Sequence, residues 1–276
     1  MEFKYFSHNG ELRPIVDAVV PLSNIEYQYG FGVYETIRVA NGVIYFVDDH
    51  IERLLESARI IALEHPFDAP FVEKAIRDLV SKNEITTCNL KILLIGAPTP
   101  DKVSLSIQCL NPLFPPDSLY RDGAKCITYT YERAFPHAKT LNMLQSYLAY
   151  RSAKAGGAYD ALLINRNGEI TEGTRTNFFC IRGKTLYSPP EDEILLGVTQ
   201  KALFRVASLN GYTIEHTTIK PADVSSYDGA FLTSTSTKIL PIRSIEDVLL
   251  QHQPLALKDL MGYFKRFLEE NKGSLR

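Results

Sequence analysis

The sequence predicts an α+β fold in two domains. Three observations carry that expectation. Strand-like and helix-period runs follow one another along the chain. The pair Asn41-Gly42, the strongest short hairpin signal, separates two strand-like runs. Pro112, Pro115 and Pro116 fall close together near the middle, where they interrupt regular structure. A chain of 276 residues also has room for two domains of roughly 100–200 residues each.

The elements follow in order. Asn9-Gly10 marks a turn. Residues 33–40 and 43–47 are strand-like and flank the Asn41-Gly42 hairpin. Asp48 or Asp49 offers an N-cap for a helix with Ile51, Leu54, Leu55, Ala58 and Ala62 on one face. A second helix over 70–82 turns Phe71, Val72, Ala75, Ile76, Leu79 and Val80 inward, and strands follow at 89–96 and 103–110. The proline-rich stretch places a linker at 112–123, between an N-terminal domain of residues 1–111 and a C-terminal domain of residues 124–276 that carries Lys139. The second domain opens with a strand at 124–131 and a helix at 142–155 closed by Gly156-Gly157. Strands are expected near 160–165 and 177–182, then a helix at 199–209 ending at Asn210-Gly211. Strands near 212–219 and 229–234 and an amphipathic helix at 255–270 complete the chain, with no internal repeat.

Composition narrows the function classes. Apolar residues make up 45 % and charged residues 22 %, as in globular domains rather than disordered or fibrous chains. Thirty Lys and Arg against 32 Asp and Glu leave a net charge of −2, so no basic surplus suggests nucleic acid. Cys88, Cys109, Cys126 and Cys180 are far apart, never in C-x-x-C, and sit in apolar runs; buried free thiols are expected rather than disulfides, a redox pair or a metal site. The first residues have no signal-type apolar core, and no run approaches ~18 apolar residues, so a soluble, cytoplasmic protein without membrane contact is expected.

Five polar segments stand out. Lys139 lies between a strand and a helix, a junction where site residues gather, although a lysine at a helix start is commonly solvated. The segment Thr171-Glu172-Gly173-Thr174-Arg175-Thr176-Asn177 runs into an apolar strand; it reads either as a turn with a solvated carboxylate or as a carboxylate set against a cationic ring nitrogen or an amine. Gly197-Val198-Thr199 leads into a helix whose N-terminal amides suit an anion, or simply into a Thr N-cap. The hydroxyls of Thr233-Ser234-Thr235-Ser236-Thr237 suit a phosphate or form a polar turn. Arg53, one helical turn after His50 and beside an apolar stripe, needs an anion if it turns inward.

Together and in this order, Tyr29-Gly30-Phe31-Gly32-Val33-Tyr34-Glu35-Thr36-Ile37-Arg38, His50-x-x-Arg53-Leu54, Lys139-Thr140-Leu141-Asn142, Thr171-Glu172-Gly173-Thr174-x-x-Asn177-Phe178 and Gly197-Val198-Thr199 resemble the class IV aminotransferases. These are the fold-type IV pyridoxal-phosphate enzymes, which include branched-chain and D-amino-acid aminotransferases and aminodeoxychorismate lyases. The resemblance spans about residues 3 to 243. It implies a small N-terminal and a larger C-terminal α/β domain, pyridoxal 5'-phosphate as cofactor, and a homodimer. It also implies roles: Lys139 as the Schiff-base lysine, Glu172 against the pyridine nitrogen, and Arg53, Gly197, Val198, Thr199 and Thr235 around the cofactor phosphate. Tyr29, Tyr34, Lys91 and Ser236 fall on the substrate side. The chemistry agrees: an aldehyde needs a lysine amine, a dianionic phosphate needs donors, and a carbanion at the substrate Cα needs a protonated ring as electron sink.

The sequence departs from the family in places. Many relatives carry an arginine before the glycine that ends the 89–96 strand, where this chain has Ile95-Gly96; some branched-chain enzymes have a tyrosine where this chain has Leu144. Lys91 is present, but the loop Ala97–Lys102 is short of cations, which leaves open which amino acid, and which enantiomer, reacts. The leading expectation is amino transfer between an amino acid and a 2-oxo acid, because Glu35-Thr36 looks more like the transaminases. Pyruvate elimination from aminodeoxychorismate and a non-enzymatic role on the same scaffold remain as alternatives.

Overall fold

The computed structural model describes residues 3–251 and 253–270. The chain divides into two compact units. The first groups the described residues through Leu113 with His137–Met143; the second groups Phe114–Pro136 with the described residues from Leu144 onward.

The first unit opens with the hairpin β1 (Tyr5–His8) and β2 (Glu11–Pro14) across Asn9-Gly10, then the single-turn α1 (Ile25–Gln28). β3 (Gly32–Ala40) and β4 (Val43–Ile44) form the expected hairpin, with Asn41 and Gly42 both at positive φ. Two helices follow, α2 (Val47–Ile60) and α3 (Ala69–Lys82), then β5 (Thr87–Ile95) and β6 (Ser104–Leu110). The strands make a six-stranded antiparallel sheet in the order β2-β1-β6-β5-β3-β4. Alternation along β3 and β5 sends Val33, Ile37, Val39, Leu90, Ile92 and Leu94 into one core with Ile51, Leu54, Ile76 and Leu79 of the helices.

Three local expectations change. Neither Asp48 nor Asp49 caps α2: Phe46, at φ 55°, turns the chain straight out of the hairpin, and both aspartates lie in the first helical turn, where the dipole favours them. The helix stops at Ile60, so Ala62, at φ 53°, lies beyond the apolar stripe. Phe71 is not inward; it is partly exposed and stacks on Phe67 at 5.3 Å.

In the second unit, α4 (Asp117–Asp122) begins directly after Pro116, inside the stretch expected to be irregular. Proline blocks a helix interior but suits a helix start. β7 (Ala124–Thr130) is followed by α5 (Leu144–Ala155), β8 (Asp160–Ile164), β9 (Ile170–Gly173) and β10 (Asn177–Arg182). β11 (Thr185–Ser188), α6 (Val198–Leu209), β12 (Thr213–His216), β13 (Gly229–Ser234), β14 (Lys238–Ile245), β15 (Val248–Leu249) and α7 (Leu255–Glu270) complete it. The strand path is β12-β11-β10-β13-β14-β7-β8-β9, with β15 on β14. β9 also pairs with β10 through Glu172 and Asn177, so the strands from β10 round to β9 close on themselves. All four cysteines are buried free thiols. Among the described residues, no helix is long and apolar enough to cross a membrane.

The segment carrying Lys139 is a correction to the expected domains. Residues 137–143 belong with the first unit, because Thr140 bridges Val33, the Tyr34 amide donates to the Lys139 carbonyl at 2.9 Å, and the Leu141 amide donates to the Gly32 carbonyl at 2.8 Å. Lys139, Thr140 and Leu141 thus make a single isolated bridge to β3, a pairing that no local pattern encodes.

Candidate active site

In the first unit, the backbone of Lys139 is held from two directions. Its carbonyl accepts from Tyr34 of β3 and its amide donates to Ser57 Oγ of α2 at 3.1 Å. Its Nζ lies 4.7 Å from the centroid of the Tyr34 ring. Lys91 Nζ, from the neighbouring β5, lies 3.4 Å from the same centroid. Tyr34, Lys91 and Lys139 are therefore brought together around one buried aromatic ring whose π-face attracts cations. Tyr29, at the end of α1, is 77 % exposed.

Arg53 turns inward from α2 and meets Glu35. Its Nε donates to Glu35 Oε1 at 2.6 Å and its Nη2 to Oε2 at 3.0 Å, a bidentate fork. His50, one turn earlier, places Nδ1 2.8 Å from Glu35 Oε2. Burial alone would push the Glu35 carboxyl up; Arg53 and His50 outweigh it and hold it well below the usual carboxylate range. Burial lowers His50 as well, against the pull of Glu35. That direction favours the neutral ring near pH 7, and beside a carboxylate that can only accept, the neutral ring carries its proton on Nδ1. Glu35 has the same strand parity as Val33, Ile37 and Val39, so the sequence did hold a signal for a buried carboxylate there.

In the second unit, Glu172 at the end of β9 is buried, and its Oε1 accepts from Arg133 Nη1 at 2.9 Å. The same guanidinium nitrogen donates to the Pro136 carbonyl at 2.9 Å, and Glu172 Oε2 accepts from the Leu195 amide at 3.3 Å. The solvated-carboxylate reading of this segment is thus overturned. Arg133 lies in a loop after β7 and carries no sequence signal.

Asn177 ties the rest together. It pairs with Glu172 on one side and with Thr233 of β13 on the other, and its Nδ2 donates to the Leu195 carbonyl at 2.7 Å. A Cβ on Gly197 would come within 2.0 Å of Asn177 Oδ1, so only glycine lets the start of α6 approach this closely. Gly197, not Thr199, caps the helix, and its amide donates to Gln200 Oε1 at 3.2 Å. Val198 and Thr199 occupy the first turn of this twelve-residue helix, where amides lack intrahelical acceptors. Thr235 and Ser236 lie in the turn between β13 and β14, just beyond Thr233. The Thr233 hydroxyl is buried with no hydrogen-bond partner among the described residues. Asn177 therefore has Glu172, Thr233 and Gly197 beside it in the second unit, with Val198-Thr199 and the Thr235-Ser236 turn following Gly197 and Thr233 along the chain.

The family described as amino-transferase class IV matches residues 32–245. The chain belongs to the class IV aminotransferases. A D-alanine aminotransferase of Bacillus licheniformis is 29 % identical to this class IV chain over 247 residues, covering 86 % of it and 87 % of the relative. The branched-chain aminotransferase of Thermoproteus uzoniensis, solved with norvaline, is 28 % identical with a TM-score of 0.87, covering 96 % of this chain and 95 % of that one. The T.th. branched-chain amino acid aminotransferase, complexed with N-(5'-phosphopyridoxyl)-L-glutamate, is 25 % identical with a TM-score of 0.87, covering 100 % and 96 %.

The residues present fit pyridoxal phosphate. The first unit holds a lysine amine fixed through its backbone and an inward arginine; the second, separately, holds a buried carboxylate, the N-terminus of α6, a hydroxyl-rich turn and, in β13 beside that turn, the unpartnered Thr233 oxygen, and these are the donor and acceptor types that the ring, aldehyde and phosphate require.

Proposed function

We propose that this class IV aminotransferase moves an amino group between an amino acid and a 2-oxo acid, with Lys139 as its catalytic amine. The observation that carries the reading is Lys139 itself: its backbone is fixed between β3 and α2, and its Nζ faces Tyr34. When bound, pyridoxal phosphate supplies an electron sink for the bond broken at the substrate Cα. Lys139 Nζ is the amine that would hold the cofactor's aldehyde and, when free, would carry the Cα proton. The Glu172 carboxylate, braced by Arg133, holds a proton at the ring nitrogen through its opposite charge. Arg53, the amides of Val198 and Thr199 behind Gly197, and the hydroxyls of Thr199 and Thr235 bind the phosphate. Lys91 binds the substrate carboxylate, with Tyr34, Tyr29 and Ser236 shaping the rest of that side.

The named relatives support transfer over elimination, and branched-chain or small aliphatic amino acids as the substrate class. A homodimer in the cytoplasm completes the reading. The apolar residues Val16, Val19, Leu22 and Ile25, all exposed along one short stretch, support burial against a second copy. Half-reactions with L- and D-amino acids, followed by the absorbance of the bound cofactor, test the function. Conversion by an aliphatic amino acid is expected. No response to any amino acid, with pyruvate released from aminodeoxychorismate, would favour the lyase instead. Sedimentation of the holoenzyme as a monomer would remove the dimer.

A further inference from the structure

Asp160, at the start of β8, is only 2 % exposed. Its Oδ1 accepts from the Ala161 amide at 2.9 Å, the Thr174 amide at 3.2 Å and the Thr174 hydroxyl at 2.5 Å. Its Oδ2 accepts from the Thr176 hydroxyl at 3.0 Å. Both threonines lie in the turn that joins Glu172 to Asn177. The turn closes on itself through the Gly173 amide and the Thr176 carbonyl at 2.8 Å. A Cβ on Gly173 would lie 2.1 Å from Thr176 Oγ1 and 2.7 Å from Asp160 Oδ2, so the carboxylate is packed directly against the turn.

A hairpin turn does not need a charge beneath it; water or its own backbone can satisfy it. A carboxylate taken out of water is costly unless its oxygens are well supplied with donors. Here those donors come from the turn: two hydroxyls and one amide, with the Ala161 amide added from β8 itself. Two amides can only donate, so Oδ1 is an acceptor in any protonation state. Burial pushes the Asp160 carboxyl up, and the Thr174 and Thr176 hydroxyls take back only part of that push. The same turn sets where Glu172 leaves β9 and where Asn177 enters β10, the register pair that joins these strands.

We propose that Asp160 is a positioning residue, which through Thr174 and Thr176 fixes the Glu172 carboxylate where the cofactor ring nitrogen meets it. This rests on the role proposed above for Glu172. Loosening the clamp lets that carboxylate drift, so its hold on the ring-nitrogen proton weakens. Lys139 and the phosphate-binding residues, which Asp160 does not contact, keep their affinity for the cofactor.

The test uses holoenzyme reconstituted with pyridoxal phosphate labelled with ¹⁵N in the ring. The variants are Asp160→Asn, Thr176→Val and Thr176→Ser. The ¹⁵N shift reports directly whether the ring nitrogen is protonated. In Asp160→Asn and Thr176→Val it should move towards the unprotonated pyridine. The half-reaction kcat should fall about 10- to 100-fold, as for other residues that orient a reacting group from behind, with amino-acid KM and cofactor Kd within about threefold. Thr176→Ser, which restores the hydroxyl, should return both shift and rate to near wild type. An unchanged shift and kcat in Asp160→Asn overturn the proposal; if that variant does not fold, an unchanged Thr176→Val does the same. A parallel decline of kcat, KM and cofactor affinity at an unchanged shift also overturns it, because that is loss of structure alone. An unprotonated ring in the wild type overturns the Glu172 assignment and this proposal together, whereas variants that match a protonated wild type overturn only the proposal.

Discussion

Arg53 and Glu35 form a two-pronged ion pair in the interior of the first unit, with contacts of 2.6 and 3.0 Å. Glu35 is fully buried and also takes the Nδ1–H of His50 and, at 3.1 Å, the amide of Thr36. Every prong of this carboxylate is used, so the arginine is held in one orientation before any ligand arrives. Pre-orientation lowers the entropy that a phosphate-binding guanidinium loses on binding.

Glu35→Gln should therefore be severe although it keeps the shape. It leaves an arginine facing a neutral amide in the interior. Removing one partner of a buried pair destabilises by about 3–5 kcal/mol, and the slight exposure of Arg53 draws the loss towards the lower end. Denaturant unfolding of the apoprotein measures it. A loss below about 1 kcal/mol would show that Arg53 finds solvent instead.

Arg53→Ala should weaken pyridoxal-phosphate binding by about 30- to 1000-fold, equivalent to about 2–4 kcal/mol, since a charge-assisted pair to the phosphate is lost. Arg53→Lys should recover only part of this, because an ammonium cannot reproduce the fork with Glu35. A cofactor titration with unchanged affinity in Arg53→Ala would remove this residue from the phosphate site.

Borohydride reduction of the holoenzyme, digestion and mass spectrometry should place the pyridoxyl group on Lys139. Lys91 is the informative alternative, because its ammonium approaches the same Tyr34 ring. An adduct there would reverse the two lysines' roles. Lys139→Ala should lose turnover altogether, as both the covalent hold and the proton carrier disappear.

Glu172→Gln should still bind cofactor but slow proton abstraction by at least about tenfold, because the carboxylate charge that favours a protonated ring is gone. Its side chain also faces Arg133, which then loses its anion. Single-turnover rates with α-deuterated amino acid should show a larger isotope effect than wild type. Turnover at the wild-type rate would assign the electron-sink partner to another residue.

Stability should fall as the pH drops, in two stages. His50 is held below its ordinary value of 6.5, so below about 6.5 the unfolded chain takes up a proton that the folded chain resists. Glu35 is held below 4.5, so its contribution is complete above that value and drains away further down. Asp160, raised from 3.8, works in the opposite sense between that value and its folded one. Thermal unfolding of apoprotein should show a wild-type loss between about pH 7 and 5.5 that His50→Gln flattens. An equal slope in both proteins would rule His50 out as the source.

Local chemistry determined much of this protein. Asn41-Gly42 makes its hairpin, the apolar periods of α2 and α3 bury the faces they imply apart from Ala62 and Phe71, and the cysteines stay free in apolar runs. The family itself was also legible, because the order of the motif segments alone carries a likeness that the matching family bears out. Partners distant along the chain were not. Glu35 meets Arg53 across 18 positions, Arg133 meets Glu172 across 39, and Thr174 and Thr176 reach back 14 and 16 to Asp160. Nor could spacing show that residues 137–143 leave the second unit to pair with β3. Propensity and periodicity act within one element, over a few residues. A buried carboxylate instead takes whichever donors the packed strands bring to it, and only the closed sheet and the docked helix decide which those are.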